Sequence, residues 1–388
     1  MRTASLRDLA SEGHLIYSDG YRTKKAEMAT DGYRIVRVAD VGDDVVRLDS
    51  PDYVSSDRAA QIGVKAAQPG DLLLTTKGTV GRVAVMPMAV GQSVYSPQLC
   101  FFRIPEGSDL APGYLKAWLR SPDFWRQAAH SMNNTDMAAY ISLRDLGLMT
   151  LPLRELREQR AIAEVLGALD DKIAANDLTL STTTQLEDAI FRQGVNASAA
   201  RPRLVSELAS FLNRRRVPLS SRERSMRKGT VPYYGAAGRI DYVDEPLFTE
   251  PIILVGEDGT VQTSDGRAVV QYVWGPSWVN NHAHVLVGRQ VSTDFLRVAL
   301  RTLPVADAVT GAAQPKLSMS RLSALSLLLP DELRIQELTA RYLASAGVIR
   351  SATEESRRLA ALRDALLPEL MSGRLRVKDA EKSVEEVV

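Results

Sequence analysis

Eighteen prolines punctuate this 388-residue chain, yet none falls between Leu153 and Arg201 and none between Asp331 and Leu367. A proline in a helix interior costs about 3 kcal/mol, so these two gaps are where long helices can run unbroken. In the first gap Ile162, Leu166, Leu169, Ile173, Leu180 and Ile190 recur at helical spacing. Steps of three and four residues give the narrow stripe of a coiled-coil seam. Asn176, Thr183 and Glu187 interrupt it. A helix from Glu155 to Gln193 spans about 58 Å at the α-helical rise. The second gap repeats the pattern more weakly through Leu338, Tyr342, Ile349, Leu359, Leu362 and Leu366, with Ser345 and Ser356 on the stripe. Pro368 and then Gly373 supply a stop signal.

Elsewhere the texture is short β-type runs broken by Gly and Pro, such as Arg34-Ile35-Val36-Arg37-Val38, Asp71-Leu72-Leu73-Leu74-Thr75, Ile252-Ile253-Leu254-Val255 and His284-Val285-Leu286-Val287. The expected order is a strand-rich domain over residues 1–152, a long helix over 153–199, a second strand-rich domain over 200–330, a second helix over 331–376, and a frayed, charged tail over 377–388. Matching landmarks suggest a duplication. Ile141-Ser142-Leu143-Arg144-Asp145-Leu146 stands beside Leu317-Ser318-Met319-Ser320-Arg321-Leu322, and Leu156, Gln159, Ala163 and Leu166 align with Leu333, Gln336, Ala340 and Leu343. Leu9-Ala10-Ser11 parallels Leu208-Ala209-Ser210, and Gly78-Thr79-Val80 parallels Gly259-Thr260-Val261. Two such units predict an α+β fold with a pseudo-two-fold internal repeat, its helices forming an antiparallel coiled coil and its globules at opposite ends.

Composition excludes much. Lys plus Arg number 48 against 47 acids, so no global positive field attracts nucleic acid or a membrane. A single cysteine, Cys100, excludes a disulfide framework and a cysteine-based zinc site, and suits a reducing cytosol. With no apolar run of about 18 residues and no secretory-type N-terminus, a cytoplasmic chain without a membrane partner is expected. No proline follows Asn or Asp, no Glu is followed two residues later by Lys, and neither Gly-x-Gly-x-x-Gly nor a Walker lysine loop occurs. Methyltransferase, nuclease and nucleotide-cradle signatures are thus missing, and no catalytic residue, metal or cofactor is assigned to this chain. His282 and His284 alternate as if facing one way along a strand, and read as structural histidines in the absence of a third ligand. Glu257-Asp258 reads as a turn between glycines.

Leu151-Pro152-Leu153 running into Glu158-Gln159-Arg160-Ala161-Ile162-Ala163, then Leu169-Asp170-Asp171-Lys172-Ile173, resembles the helical region of specificity (S) subunits of type I restriction–modification systems. Val231-Pro232-Tyr233-Tyr234-Gly235, Gly238-Arg239-Ile240, Gly256-Glu257-Asp258-Gly259 and Trp278-Val279-Asn280-Asn281-His282-Ala283-His284 look like the target-recognition domains of that family. Gly70-Asp71-Leu72-Leu73 and Lys77-Gly78-Thr79-Val80-Gly81 look like another variety of them. The resemblance implies a non-catalytic subunit reading a split, asymmetric site in double-stranded DNA, one half per domain. It also implies docking of two methyltransferase subunits, which use S-adenosylmethionine, and of restriction subunits, which use ATP and Mg. Glu158, Gln159, Arg160 and Gln336 are the docking candidates.

Base reading needs side chains at base edges and cations on phosphates. Seven basic residues lie between Leu212 and Lys228, namely Arg214, Arg215, Arg216, Arg222, Arg224, Arg227 and Lys228, opposed locally only by Glu223. Phosphate contact is expected from Arg214, Arg215, Arg216 and Lys228, and in the first domain from Arg22, Lys24 and Lys25 beside Tyr21, and from Lys77, Thr79 and Arg82 around a glycine turn. Arg239, Asn280 and Asn281 are the base-contact candidates, because Arg suits guanine and Asn suits adenine. Tyr233 and Tyr234 either pack against sugars or fill core, and Gln98, Asn133 and Asn134 complete the first-domain set. Two other readings remain at this point: a DNA reader in a different methylation-based phage-defence assembly, and a coiled-coil scaffold carrying protein-binding domains.

Overall fold

The computed structural model describes residues 2–132, 140–311 and 313–385. Both proline-free stretches are helical, Leu156–Asn196 and Glu332–Ser372, 41 residues each, or about 62 Å long. The second passes through Pro368 one turn before its end. Gly373 then takes φ +78°, and a Cβ there would lie 2.6 Å from Arg154, so the stop requires glycine for both conformation and space.

The chain forms two compact units: Met1–Ala174 with Ser356–Val388, and Ala175–Glu355. Each long helix contributes one stretch to each unit, and within each unit the two stretches run antiparallel. In the first unit Arg154 donates to the Met371 carbonyl (3.1 Å) and Arg363 to Asp170 (2.9 Å). In the second, Asn176 donates to Glu355 (2.9 Å), while Tyr342 and Ser345 reach Glu187. The polar residues that interrupt the sequence stripe are therefore buried positions with partners, not gaps in the packing.

The strand-rich parts of the two units share one plan. In the first, an antiparallel sheet runs in the order Ile16–Asp19, Leu99–Arg103, Leu72–Thr75, Val83–Val85; in the second the order is Ala209–Phe211, Ala283–Gly288, Ile252–Gly256, Val270–Val273. A two-stranded ladder joins Arg2–Ser5 to Thr150–Leu153, and another joins Arg201–Leu204 to Ser326–Leu329. Each unit also has a parallel pair, Tyr33–Val36 with Ser93–Tyr95 and Val231–Gly235 with Trp278–Val279. Antiparallel strands Tyr53–Val54 and Gly238–Val243 flank them. Ser142 and Ser318, matched in sequence, each cap a six-residue helix, Leu143–Leu148 and Met319–Ala324. The duplication read from short sequence matches is thus a duplication of topology.

The first core joins Leu72, Leu74, Phe102, Tyr114 and Trp118 to Ile162, Leu166 and Leu169 of the first long helix and Leu359, Leu366 and Leu370 of the second. The second joins Ile253, Val255, Leu286, Phe295 and Leu296 to Phe191, Leu338 and Tyr342. The tail departs from expectation. Val377–Glu385 is a helix, and Ala380 is buried in the first core with Val377 and Val384 beside it. Spacings of three and four residues make an apolar stripe that the charged composition masks.

In each unit the first long helix is tied to a shorter helix by a clamp of charges. Helix Pro112–Arg120 presents Lys116 and Arg120 to Asp170, at 3.0 and 3.1 Å. Helix Thr293–Arg301 presents Arg297 and Arg301, likewise four residues apart, to Glu187, at 2.8 and 2.7 Å. Burial works to raise the Glu187 pKa, but hydrogen bonds and charge from Arg297, with Ser345 and Arg301, outweigh it and hold the carboxyl below its ordinary value. Asp170 is likewise held low by Lys116, Arg363 and Arg120 against its burial.

Glu187→Ala leaves the buried Arg297 with only the more distant Asp294 carboxylate (3.6 Å) and should cost about 3 kcal/mol in urea denaturation. Because the folded pKa of Glu187 lies below the unfolded one, its contribution is present at neutral pH and disappears as pH falls through the folded value. The wild-type minus Glu187→Ala stability difference should therefore shrink in acid.

Candidate nucleic-acid interface

The basic segment of the second unit folds as a short 3-10 turn, Asn213–Arg215, followed by the helix Ser221–Met226. Glu223 is not a counter-charge here. It closes a capping box with Ser220, whose hydrogen bonds hold its carboxyl below the ordinary value. The opposing charge arrives from elsewhere in the chain. Arg215 pairs with Glu250 and lies 4.3 Å over the Phe248 ring. Arg216 pairs with Glu257 (2.7 Å) and donates to the Ala283 carbonyl (2.7 Å). Arg224 pairs with Asp241 (2.8 Å), and Arg227 with Asp244 (2.9 Å) and Glu245. Arg215 and Arg216, read from sequence as phosphate contacts, are thus committed to internal ion pairs. Arg214, Arg222 and Lys228 are exposed and have no ion-pair partner among the described residues.

Behind this segment lies His284, fully buried on the Ala283–Gly288 strand. Its Nε2 donates to the Leu317 carbonyl (2.7 Å), which leaves Nδ1 to accept from Asn213 (3.0 Å). Burial pushes its pKa below the ordinary value against the pull of Glu257, 3.3 Å from Nδ1, and the buried, hydrogen-bonded ring is structural. His282 precedes the strand and is half exposed, 3.6 Å from Asp258, so the two histidines do not share a face. Asp258 pairs with Lys316 (3.0 Å). Among the described residues no group of three or more His, Cys, Asp or Glu is placed to hold a metal ion.

Two further sequence candidates turn inward. Asn280 is 4% exposed; its Oδ1 accepts from the His282 amide (2.8 Å), and its own amide donates to the Tyr234 carbonyl (3.0 Å). It fixes the turn and does not face solvent. Tyr233 is buried with its hydroxyl accepting from the Leu219 amide (2.9 Å). Tyr234 is half-buried, whereas Arg239 and Asn281 are exposed.

In the first unit, Lys77, Thr79 and Gln98 come together at one end of the central sheet. The Thr76 amide and hydroxyl both donate to the Gln98 carbonyl (2.9 and 3.0 Å), and Lys77 pairs with Tyr140 through the backbone. The turn needs two glycines: Gly78 at φ +85° and Gly81 at φ +107°, where a Cβ would strike Trp125 at 2.5 Å. Arg82 is half-buried and donates to the Val41 carbonyl (3.0 Å), a structural tie. Arg22, Lys24 and Lys25 are exposed, and Tyr21 donates to Glu27 (3.2 Å). Asn133 and Asn134 lie outside the described residues.

The second unit carries the same turn. Glu257 donates its amide to the His282 carbonyl (2.8 Å), and Gly259 takes φ +83°. Lys77 and Gln98 therefore correspond to Asp258 and His282. Sequence reading missed Asp258, His282 and Lys316 as members of that surface, although the matched Gly-Thr-Val triplets pointed to it.

Of the docking candidates, Glu158 is half-buried and pairs with Arg154, and Arg160 and Gln336 are exposed. Gln159 has no exposed surface. It accepts from the Ala111 amide (2.9 Å) and donates to the Asp109 and Arg154 carbonyls (2.8 and 2.9 Å), which locks the start of the first long helix. A group that completes three internal hydrogen bonds is not a docking surface, so Gln159 is corrected to a structural role. No helix among the described residues is long and apolar enough to cross a membrane.

No protein-family profile matches the chain. Over 148 residues it is 29% identical to a Haemophilus influenzae protein named as a type I restriction enzyme specificity subunit; the match covers 38% of this chain and 37% of that protein. Its fold is similar to the S subunit of the type I restriction–modification system from M. genitalium, with TM-score 0.55 and 16% identity over 95% of each chain. An HsdS subunit from Thermoanaerobacter tengcongensis aligns over 96% of this chain with TM-score 0.39.

Arg216→Ala should lower stability by about 2–3 kcal/mol, because Glu257, largely buried, is left without its guanidinium partner. Arg214→Ala should stay within about 0.5 kcal/mol of wild type. Thermal unfolding of the two variants separates the structural arginine from the available one.

Proposed function

We propose that this chain is the DNA sequence-specificity subunit of a type I restriction–modification assembly. The observation that carries the reading is the single topological plan used twice, in a chain whose fold matches an S subunit over nearly its whole length. A duplicated reader suits a bipartite, asymmetric site in double-stranded DNA, because each copy diverges in its loops while keeping its scaffold. Arg214, Arg222 and Lys228 in the second unit, with Arg22, Lys24, Lys25 and Lys77 in the first, hold phosphates. Arg239 and Asn281 in the second unit, and Thr79 and Gln98 in the first, face base edges. Local clusters of unpaired cations supply the attraction that the neutral total charge does not.

The subunit does no chemistry of its own in this reading. Two methyltransferase subunits dock on exposed faces of the long helices, where Glu158, Arg160 and Gln336 lie, and supply S-adenosylmethionine-dependent methylation of adenine. Restriction subunits supply the reactions that need ATP and Mg. The long helices set the spacer between the half-sites.

Mapping methylated adenines across the genome with and without this gene tests the reading. A split motif should vanish with the gene, and a motif that persists rejects the proposal. Replacing Arg214, Arg222 and Lys228 by Ala together should reduce the slope of log affinity against log salt by roughly 3 without changing the motif. Inserting four residues after Thr183, about 6 Å of helix, should change the tolerated spacer and leave both half-sites intact.

A further inference from the structure

The hairpin Val231–Gly235 with Gly238–Val243 contains a break in register. Gly235 faces Gly238 and Tyr234 faces Arg239, but Tyr233 faces Asp241 and Pro232 faces Tyr242. Ile240 is therefore an extra residue, a β-bulge. Residues three apart on a regular strand point to opposite faces. Here the bulge returns Arg239 and Tyr242 to one face, and the guanidinium carbon lies 4.8 Å from the Tyr242 ring centroid. The other face of the hairpin is anchored, with Val231, Tyr233 and Val243 buried against Trp278. The bulge residue itself rests on a glycine, since a Cβ on Gly235 would lie 2.4 Å from Ile240.

Arg239 differs from the arginines around it. Arg215, Arg216, Arg224 and Arg227 all end on carboxylates, whereas Arg239 is exposed and has no ion-pair partner among the described residues. Its guanidinium lies over an aromatic ring, which holds it without consuming its hydrogen-bond donors. Tyr242 keeps 41% of its surface exposed, so the pair stands on the surface. A guanidinium held over a ring with its donors free can present two coplanar donors to the O6 and N7 acceptors of guanine in the major groove.

We infer that Tyr242 is a positioning residue: it holds Arg239, through the Ile240 bulge, in the plane needed to read one guanine in the half-site of the second unit. The inference rests on the DNA-reading role proposed above and adds to it the base, the reading group and the residue that aims it.

The test uses the full chain assembled with its methyltransferase subunits and short duplexes carrying the methylation-mapped site, each base pair of one half-site exchanged in turn. Wild type and Tyr242→Phe should discriminate one G·C pair by about tenfold or more. Tyr242→Leu and Arg239→Lys should lose most of that preference, while affinity for an unrelated duplex and its salt dependence stay unchanged. Retention of the preference by Tyr242→Leu or by Arg239→Lys overturns the inference, as does its loss in Tyr242→Phe. Should Tyr242→Leu fail to fold, Tyr242→Gln, which removes the ring but keeps a polar side chain on this exposed surface, takes its place with the same outcomes. A wild-type assembly with no sequence preference overturns the DNA-reading role itself, a different result from preference that survives in Tyr242→Leu.

Discussion

A carboxylate taken out of water must find its cations, and that requirement governs how this chain is assembled. Glu187 sits on the inward stripe of a long helix, where a leucine would satisfy the packing. Its burial is tolerable only because Arg297 and Arg301 converge on it and Ser345 completes the set. Those arginines project from a helix packed on the sheet that carries His284 and the Glu257 turn. Asp170 imposes the same condition in the other unit through Lys116, Arg120 and Arg363. Apolar side chains on a uniform stripe can slide by a turn at little cost, but an ion pair cannot. The clamps therefore fix the register of the first long helix against the shorter helix of each unit.

The same economy of charge shapes the surface. Four of the seven basic residues between Leu212 and Lys228 are neutralised by acids that lie between Asp241 and Glu257. What remains is a small number of available cations on a rigid support. This arrangement suits a protein whose net charge is near zero and whose selectivity has to exceed its general attraction to polyanions. Arg239 belongs to the available set for a different reason: an aromatic ring holds it instead of a carboxylate.

The misreadings share one cause. Gln159, Asn280 and Tyr233 carry polar groups in motif-like surroundings, which in sequence looks like exposure for recognition. In the fold each satisfies backbone groups that would otherwise be buried unpaired. For Gln159 and Tyr233 nothing local marks that duty, because the Ala111 and Leu219 amides they serve lie on other segments, whereas Asn280 serves the His282 amide two residues on. The tail was misread in the opposite sense: its charges are visible in composition, while the apolar stripe of Val377, Ala380 and Val384 emerges only once a helix is drawn.

The sequence by itself determined the two long helices, the alternation of strand-rich segments with them, and the duplication, since proline exclusion, apolar period and repeated short motifs act between near neighbours. It also marked the Gly-Thr-Val turns, where left-handed backbone requires glycine. Tertiary structure alone decided that both ends of the chain belong to one compact unit, which arginines are free, and which side of the hairpin Arg239 faces. The first two outcomes depend on partners brought together from segments far apart in the chain, which leave no signature in a local window, and the third on a bulge in the hairpin register.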